Sequence, residues 1–216
     1  MIGKLKTALA AAVFVVTAIP ALAQFQDGCN GNDWNRRDWD QRIAACTELI
    51  ETPGIDPDRL SHAYASRALA FSLKGRHDDA IRDYDRAIEL IPDFAVALNN
   101  RAWAYFKSGR AEQGRDDVER SLLLDPSSGH SYDTRAHIRQ WTGDLDGALL
   151  DYNAAIRFGG EQMIELYQCG LQYQKLYTGP TDGVWTPELQ TALEKCVGRK
   201  GCDPLPPDEV CRPSIS

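Results

Sequence analysis

The 216-residue sequence predicts an all-α fold, a solenoid of three helix–turn–helix repeats with an atypical helical segment at each end. Three observations predict it. A thirty-four-residue period runs through Gly75, Gly109 and Gly143, through Arg67, Arg101 and Arg135, through Ala68, Ala102 and Ala136, and through Asp83, Asp117 and Asp151. A fixed period of that length marks a stacked repeat architecture. Within each period the apolar residues follow helical spacing twice. Finally, glycine and proline fall at the ends of those two patterns rather than inside them, where they close helices.

The chain before the repeats divides in two. Lys4 and Lys6 precede an apolar run from Ala8 to Ile19, and Ala21-Leu22-Ala23 offers a small-residue cleavage site. That pattern is expected to be a secretory signal peptide over 1–23, cleaved after Ala23. No other stretch approaches membrane length and no cysteine stands at the cleavage point to take a lipid, so neither membrane insertion nor a lipid anchor is expected after cleavage. Loss of two lysines and no acid would shift the net charge from −7 to −9. So acidic a chain has no electrostatic footprint for nucleic acid or anionic lipid. Residues 24–56 then form an N-terminal cap. Its first part is polar and turn-rich, and Trp39, Ile43, Cys46, Leu49 and Ile50 line one face of a helix. Aligned on the repeat, Cys46 occupies the position of Tyr84, so this helix is the second half of a degenerate first unit. Terminal units of a solenoid are often irregular because they must end the stack.

The repeats span 57–92, 93–126 and 127–160. In the first, Leu60, Tyr64, Arg67, Ala68 and Phe71 mark the buried face of helix A, and Gly75 closes it in the left-handed conformation. Helix B carries Ala80, Ile81, Tyr84, Ala87, Ile88 and Ile91, and Pro92 ends it. The second unit repeats this with Leu98, Ala102, Tyr105, Gly109, Val118, Leu122 and Pro126. The third has Tyr132, Ala136, Gly143, Leu149, Tyr152, Ala155 and Ile156. Small alanines let paired helices approach closely while the rings fill the space between units.

The pattern Ala68, Gly75, Tyr84, Ala87, Pro92 resembles the tetratricopeptide repeat (TPR) family, and the resemblance covers about half the chain. It implies a right-handed solenoid whose A helices line a concave groove, a surface that binds a partner protein or peptide and performs no chemistry. Three departures stand out: Gly114 for a helix-B alanine, Arg139 for an aromatic, and Gly160 for a proline. Gly114 is expected to weaken its helix by roughly 0.5–1 kcal/mol relative to alanine.

Arg67, Arg101 and Arg135 lie beside the packing alanines of the A helices, and Asp83, Asp117 and Asp151 follow sixteen residues later. In an antiparallel hairpin those positions reach one height, so an interhelical ion pair is expected in each unit. The alternative is an arginine ladder in the groove that grips acidic partners. The groove candidates are Asn99, Trp103 and Phe106 of the second unit and Asp133 of the third; the aromatic pair is read either as a binding anchor or as packing against the neighbouring unit. Asn100 matches the carboxylate-clamp pattern of some TPR domains, but Ala65 and Leu69 replace its polar pair, so that mode is not expected.

Residues 161–216 leave the period. Met163, Ile164, Tyr167 and Leu171 predict a helix to about Tyr177, followed by a turn cluster through Gly183. Thr186 then caps a helix with Pro187 at its first position and an apolar stripe of Leu189, Ala192, Leu193, Cys196 and Val197. The stretch through Gly179, Asp182, Gly183, Trp185, Pro187 and Ala192 resembles the small helical peptidoglycan-binding domain. That resemblance implies a possible wall-binding site at Asp182, Gly183 and Trp185. A helical hairpin that merely caps the solenoid explains the apolar stripes equally.

Six cysteines, Cys29, Cys46, Cys169, Cys196, Cys202 and Cys211, are an even count in an exported chain and are read as disulfides. The cysteine-free repeats isolate Cys29 and Cys46, which are expected to pair; the other four allow three connectivities. No paired CxxC spacing suggests a metal, and no cofactor is expected. Neither a nucleophile elbow nor HExxH nor a phosphate loop is present, and the four histidines are scattered. The sequence therefore points to a non-catalytic binding or scaffold protein of the bacterial envelope, periplasmic or secreted, with its tail localising it to peptidoglycan. The competing reading is a structural or assembly factor without wall binding, its tail only capping the stack.

Overall fold

The computed structural model describes residues 28–29 and 38–205. The expected signal peptide, most of the turn-rich stretch before Asp38, and Cys211 lie outside the described residues. Among the described residues every regular element is helical. In chain order these are α1 (Trp39–Ile50), α2 (Pro57–Leu73), α3 (His77–Leu90), α4 (Ala95–Lys107), a 3-10 turn (Ala111–Gly114), α5 (Arg115–Leu124), α6 (Gly129–Thr142), α7 (Leu145–Tyr173) and α8 (Pro187–Val197).

Each helix packs chiefly against its sequence neighbour, as a solenoid requires. The hairpins α2–α3, α4–α5 and α6–α7 close in the same way. Gly75, Gly109 and Gly143 have φ of 72°, 78° and 90°. The amide after each glycine reaches back to a carbonyl five residues earlier: Arg76 to Phe71 (2.9 Å), Arg110 to Tyr105 (2.8 Å) and Asp144 to Arg139 (2.9 Å). These are Schellman closures, and a Cβ at the glycine would strain each one. Helix starts are equally local. Asp56 caps α2 with Pro57 behind it, and the Thr186 hydroxyl accepts from the Leu189 amide at 3.2 Å to cap α8.

The repeating small positions are the tightest. Ala68, Ala102 and Ala136 are wholly buried, as are Tyr84, Val118 and Tyr152 one helix later. Ser121 stands where the other units have alanine, and its hydroxyl donates to the Ala95 carbonyl at 2.9 Å, so the buried polar atom is satisfied.

Gly114 corrects an expectation. Rather than a weakened helical turn, residues 111–114 form the 3-10 turn, and α5 starts only at Arg115. A Cβ on Gly114 would lie 2.8 Å from both the Cα and the carbonyl oxygen of Ala102, which are backbone atoms and cannot swing aside. Gly114→Ala is therefore expected to destabilise by about 1–3 kcal/mol, not to stabilise. Urea unfolding of the two proteins gives the sign.

Gly160, at φ 62° and ψ −151°, interrupts α7 where the repeat would have placed a proline. Glycine reaches this region without a steric penalty. The arm before it completes the third hairpin; the arm after it starts the C-terminal segment and ends at Tyr173, short of the expected Tyr177. That segment shares one core with the third repeat. Tyr152, Ala155 and Ile156 are continuous with Met163, Tyr167, Leu171, Leu189, Leu193 and Val197. At the other end Cys29–Cys46 is disulfide-bonded as expected, and with Leu49 and Ala63 it builds a small cap core. Cys196 pairs with Cys202, and Cys169 is also disulfide-bonded.

Candidate functional site

The arginine register is scaffold. Each guanidinium grips its aspartate through two bonds: Arg67 to Asp83 (2.7 and 2.8 Å), Arg101 to Asp117 (2.7 and 2.7 Å), Arg135 to Asp151 (2.8 and 2.8 Å). The remaining nitrogen bonds backwards to the preceding unit: Arg67 to Thr47 (2.9 Å), Arg101 to Asp85 (2.6 Å), Arg135 to Glu119 (2.7 Å). Each arginine thus joins two helices of its own hairpin and staples that hairpin to the element before, the cap helix α1 for Arg67 and the preceding hairpin for Arg101 and Arg135. The bonds to Asp117 raise the Arg101 pKa, burial lowers it, and the charges of Asp117 and Asp85 leave it above its ordinary value. Arg139, in place of an aromatic, adds a second cation to Asp151 at 2.8 Å.

The concave candidates fall on α4 and α6, one period apart. Trp103 and Phe106 lie with ring centroids 5.2 Å apart, both half-buried. Both rings meet the imidazole of His137, at 5.1 and 5.3 Å, and Tyr152 meets it at 5.1 Å. Trp141, one turn further along α6, stands 6.2 Å from Phe106 and is two-thirds exposed. Lys107 lies over Trp103 at 5.4 Å. Asn99 and Asp133 are buried rather than open to a partner. Asn99 donates to Asn100 at 3.3 Å, while its Oδ1 has no hydrogen-bond partner among the described residues.

His137 was not singled out as a groove residue from sequence, yet it is the centre of this face. Its signal was available: it stands one period after Trp103, as Gln140 does after Phe106. The ring nitrogens both face acceptors, Nδ1 the Asp133 carbonyl at 2.8 Å and Nε2 the Asp203 carboxylate at 2.9 Å. Two acceptors call for two N–H donors, hence an imidazolium. Burial works against that charge, but Asp133 and Asp203 outweigh it and push the His137 pKa up to about 9. Burial also opposes charge on Asp203, yet the imidazolium holds its carboxyl below the ordinary range. Asp133 is pushed up by burial, against His137 and the Tyr167 hydroxyl that donates to it at 2.5 Å.

Asp203 belongs to the C-terminal segment, sixty-six residues from His137 in sequence. Around it Gln140 Nε2 donates to the Cys202 carbonyl at 2.8 Å and Gln174 Nε2 to the Asp203 carbonyl at 3.3 Å. Residues 202–205 therefore lie as a strap against the third repeat's helix A.

The Asp-Gly-Val-Trp turn sits elsewhere. Gln168, wholly buried, donates to Asp182 Oδ1 (2.8 Å) and the Val184 carbonyl (3.0 Å) and accepts from the amides of Asp182 (2.8 Å) and Gly183 (3.0 Å). Gly183, at φ 70°, abuts Glu161, and Trp185 packs on the C-terminal core. Every member of the motif thus has a structural task. A cleft of about 470 Å³ opens nearby between residues 176–180 and α8, lined by Tyr177, Thr178, Thr186, Glu188, Thr191 and Lys195. Asp182, Gly183 and Trp185 do not line it. Among the described residues no cluster of His, Cys, Asp and Glu could hold a metal ion.

With this geometry the comparisons with known proteins agree. Family profiles described as tetratricopeptide repeat match residues 62–94 and 95–128. The helical stack is thus an all-α tetratricopeptide-repeat solenoid. The chain is 32% identical over 156 residues to DnaJ homolog subfamily C member 3 of Rattus norvegicus, covering 68% of this chain and 27% of that protein. It is 25% identical over 166 residues to Hsp70-Hsp90 organizing protein 2 of Arabidopsis thaliana, covering 71% and 29%. To small glutamine-rich tetratricopeptide repeat-containing protein 2 of Mycosarcoma maydis it is 35% identical over 92 residues, covering 43% and 25%. The chain therefore spans less than a third of the length of each of these relatives.

Proposed function

We propose that this chain is a non-catalytic scaffold that holds a partner protein or peptide in its solenoid groove. The observation that carries it is the aromatic face of Trp103, Phe106 and Trp141, gathered around His137 on the side lined by helix A residues. Rigid rings at the centre of a concave surface are the usual anchors of a protein interface. Relatives whose names place them with Hsp70, Hsp90 and J-domain proteins support protein binding as the role. The signal-like N-terminus and the disulfides support an oxidising envelope compartment as the site of action. No helix among the described residues is long and apolar enough to cross a membrane.

The test is co-purification from envelope extract with the wild type, Trp103→Ala and Leu123→Ala. Leu123 is 81% exposed on α5 and controls for general stickiness. A groove partner is kept by Leu123→Ala and weakened at least about tenfold by Trp103→Ala. Equal retention by both variants contradicts the reading.

A second role, attachment to peptidoglycan through the C-terminal segment, is supported by the cleft beside α8, where Glu188, Thr191 and Lys195 stand among apolar lining residues. Sedimentation with purified peptidoglycan separates it from simple capping. Loss with Lys195→Glu supports wall binding, and no sedimentation of the wild type removes it.

A further inference from the structure

We propose that residues 202–205 are a built-in occupant of the groove, and that its partners are extended acidic segments which set an aspartate or glutamate carboxylate on His137 as Asp203 does. The proposal rests on the groove reading above and names the chemistry of its partner.

The strap is held as a bound peptide is held. One charged group is read specifically: the Asp203 carboxylate meets His137 Nε2 at 2.9 Å, with Trp103 and Phe106 against the same ring. Two main-chain carbonyls are read by side-chain amides, those of Gln140 and Gln174, which recognise any extended backbone. Pro204 is fully buried and Leu205 packs on the core, giving the apolar part of the contact. Asp203 also accepts from its own Leu205 amide at 2.8 Å, so the strap presents the carboxylate in a local turn.

Other features point to exchange rather than permanent closure. His137 is 2% exposed on its side chain, whereas Asp203 is 38% exposed, so solvent and a competitor reach the carboxylate before the imidazolium. The strap bonds to His137 and Gln140 of α6, while Trp141, the next residue of that helix, stays two-thirds exposed. A longer segment from another protein would thus find a contact surface already open before it displaced Asp203. Asp133, buried beside the imidazolium, adds a negative charge that disfavours a more highly charged phosphate group.

The experiment titrates a fluorescein-labelled peptide of residues 200–207, carrying Cys202→Ser, into the chain from residue 24 onward, with disulfides intact. Asp203→Ala in the chain frees the site and is expected to bind the peptide at least tenfold more tightly than the wild type. Adding His137→Gln to that variant should abolish the gain, and Asp203→Asn in the peptide should weaken binding at least tenfold. Asp203→Asn in the chain is a second variant that keeps an acceptor for the Leu205 amide, and circular dichroism confirms folding of each. Equal affinity for the wild type and the Asp203 variants, or no binding to a folded Asp203 variant, overturns the proposal. Failure here while co-purification still depends on Trp103 removes the self-ligand alone. Loss of Trp103 dependence while the strap peptide binds removes the broader reading alone.

Discussion

Replacing Arg101 by alanine is expected to lower the unfolding free energy by about 3–5 kcal/mol, one of the two largest effects among single changes in the repeats. Arg101 is the middle rung of the three arginines and bonds to Asp117 through two nitrogens and to Asp85 through the third. Without it Asp117, 12% exposed on its side chain, keeps its charge with no partner in a region already stripped of water. Two hairpins also lose their shared staple, so the loss should appear as broader unfolding as well as a lower midpoint. A double-mutant cycle with Asp117→Ala should recover most of the loss, since removing both charges removes the unpaired one. Zero coupling would mean that the bidentate pair is not a stability element. By contrast Arg115→Ala, which removes an exposed pair with Glu112, should cost under about 1 kcal/mol.

Stability should also fall as pH rises from about 6.5 toward 9, and His137→Gln should flatten that fall. The folded pKa of His137 lies near 9 against an ordinary value of 6.5. A raised histidine pKa contributes fully below the unfolded value and is lost as pH climbs through the folded one. Asp203 runs the other way: its depressed pKa contributes above an ordinary value of 3.8 and is lost as pH falls. The titratable groups facing the imidazole are Asp133, Asp203 and Tyr152, with Tyr167 bonded to Asp133 and with Lys107 and His130 acting at longer range through the two carboxylates. Asp133, pushed up by burial, opposes part of the gain, so the net alkaline loss is expected on the order of 2 kcal/mol. Thermal melts between pH 5 and 9.5, wild type against His137→Gln, measure it. Parallel profiles for the two proteins would rule out the imidazolium as the link between strap and solenoid.

Much of the fold was legible because the repeat writes the same local rules three times. Turn glycines, packing alanines and the Arg–Asp spacing of sixteen residues each follow from helix geometry alone. The Cys29–Cys46 pair was legible for another reason, the cysteine-free repeats that separate it from the other four cysteines. What escaped sequence reasoning depends on contacts off the period. Gly114 reads as a poor helix former until the Ala102 backbone is seen against it. Asp85 and Glu119 read as surface acids until the preceding unit's geometry brings them to Arg101 and Arg135. Asp203 lies in a proline-rich tail with no periodic cue, so its reach to His137 could not be inferred. The Asp182–Gly183–Trp185 motif shows the opposite case. It resembles a binding turn, and the structure adds what the sequence does not show: Asp182 and Gly183 bond to Gln168 while Trp185 packs on the C-terminal core.

The groove itself is tested most directly by photo-crosslinking in the native setting. Lys107→p-benzoylphenylalanine places the reactive group beside Trp103 and Phe106, and Leu123→p-benzoylphenylalanine places it on exposed α5 away from them. Irradiation of cells making each protein should give a discrete higher-mass adduct from position 107 and none from position 123. Adducts from position 123 alone, or the same adducts from both, would contradict a partner held in the groove.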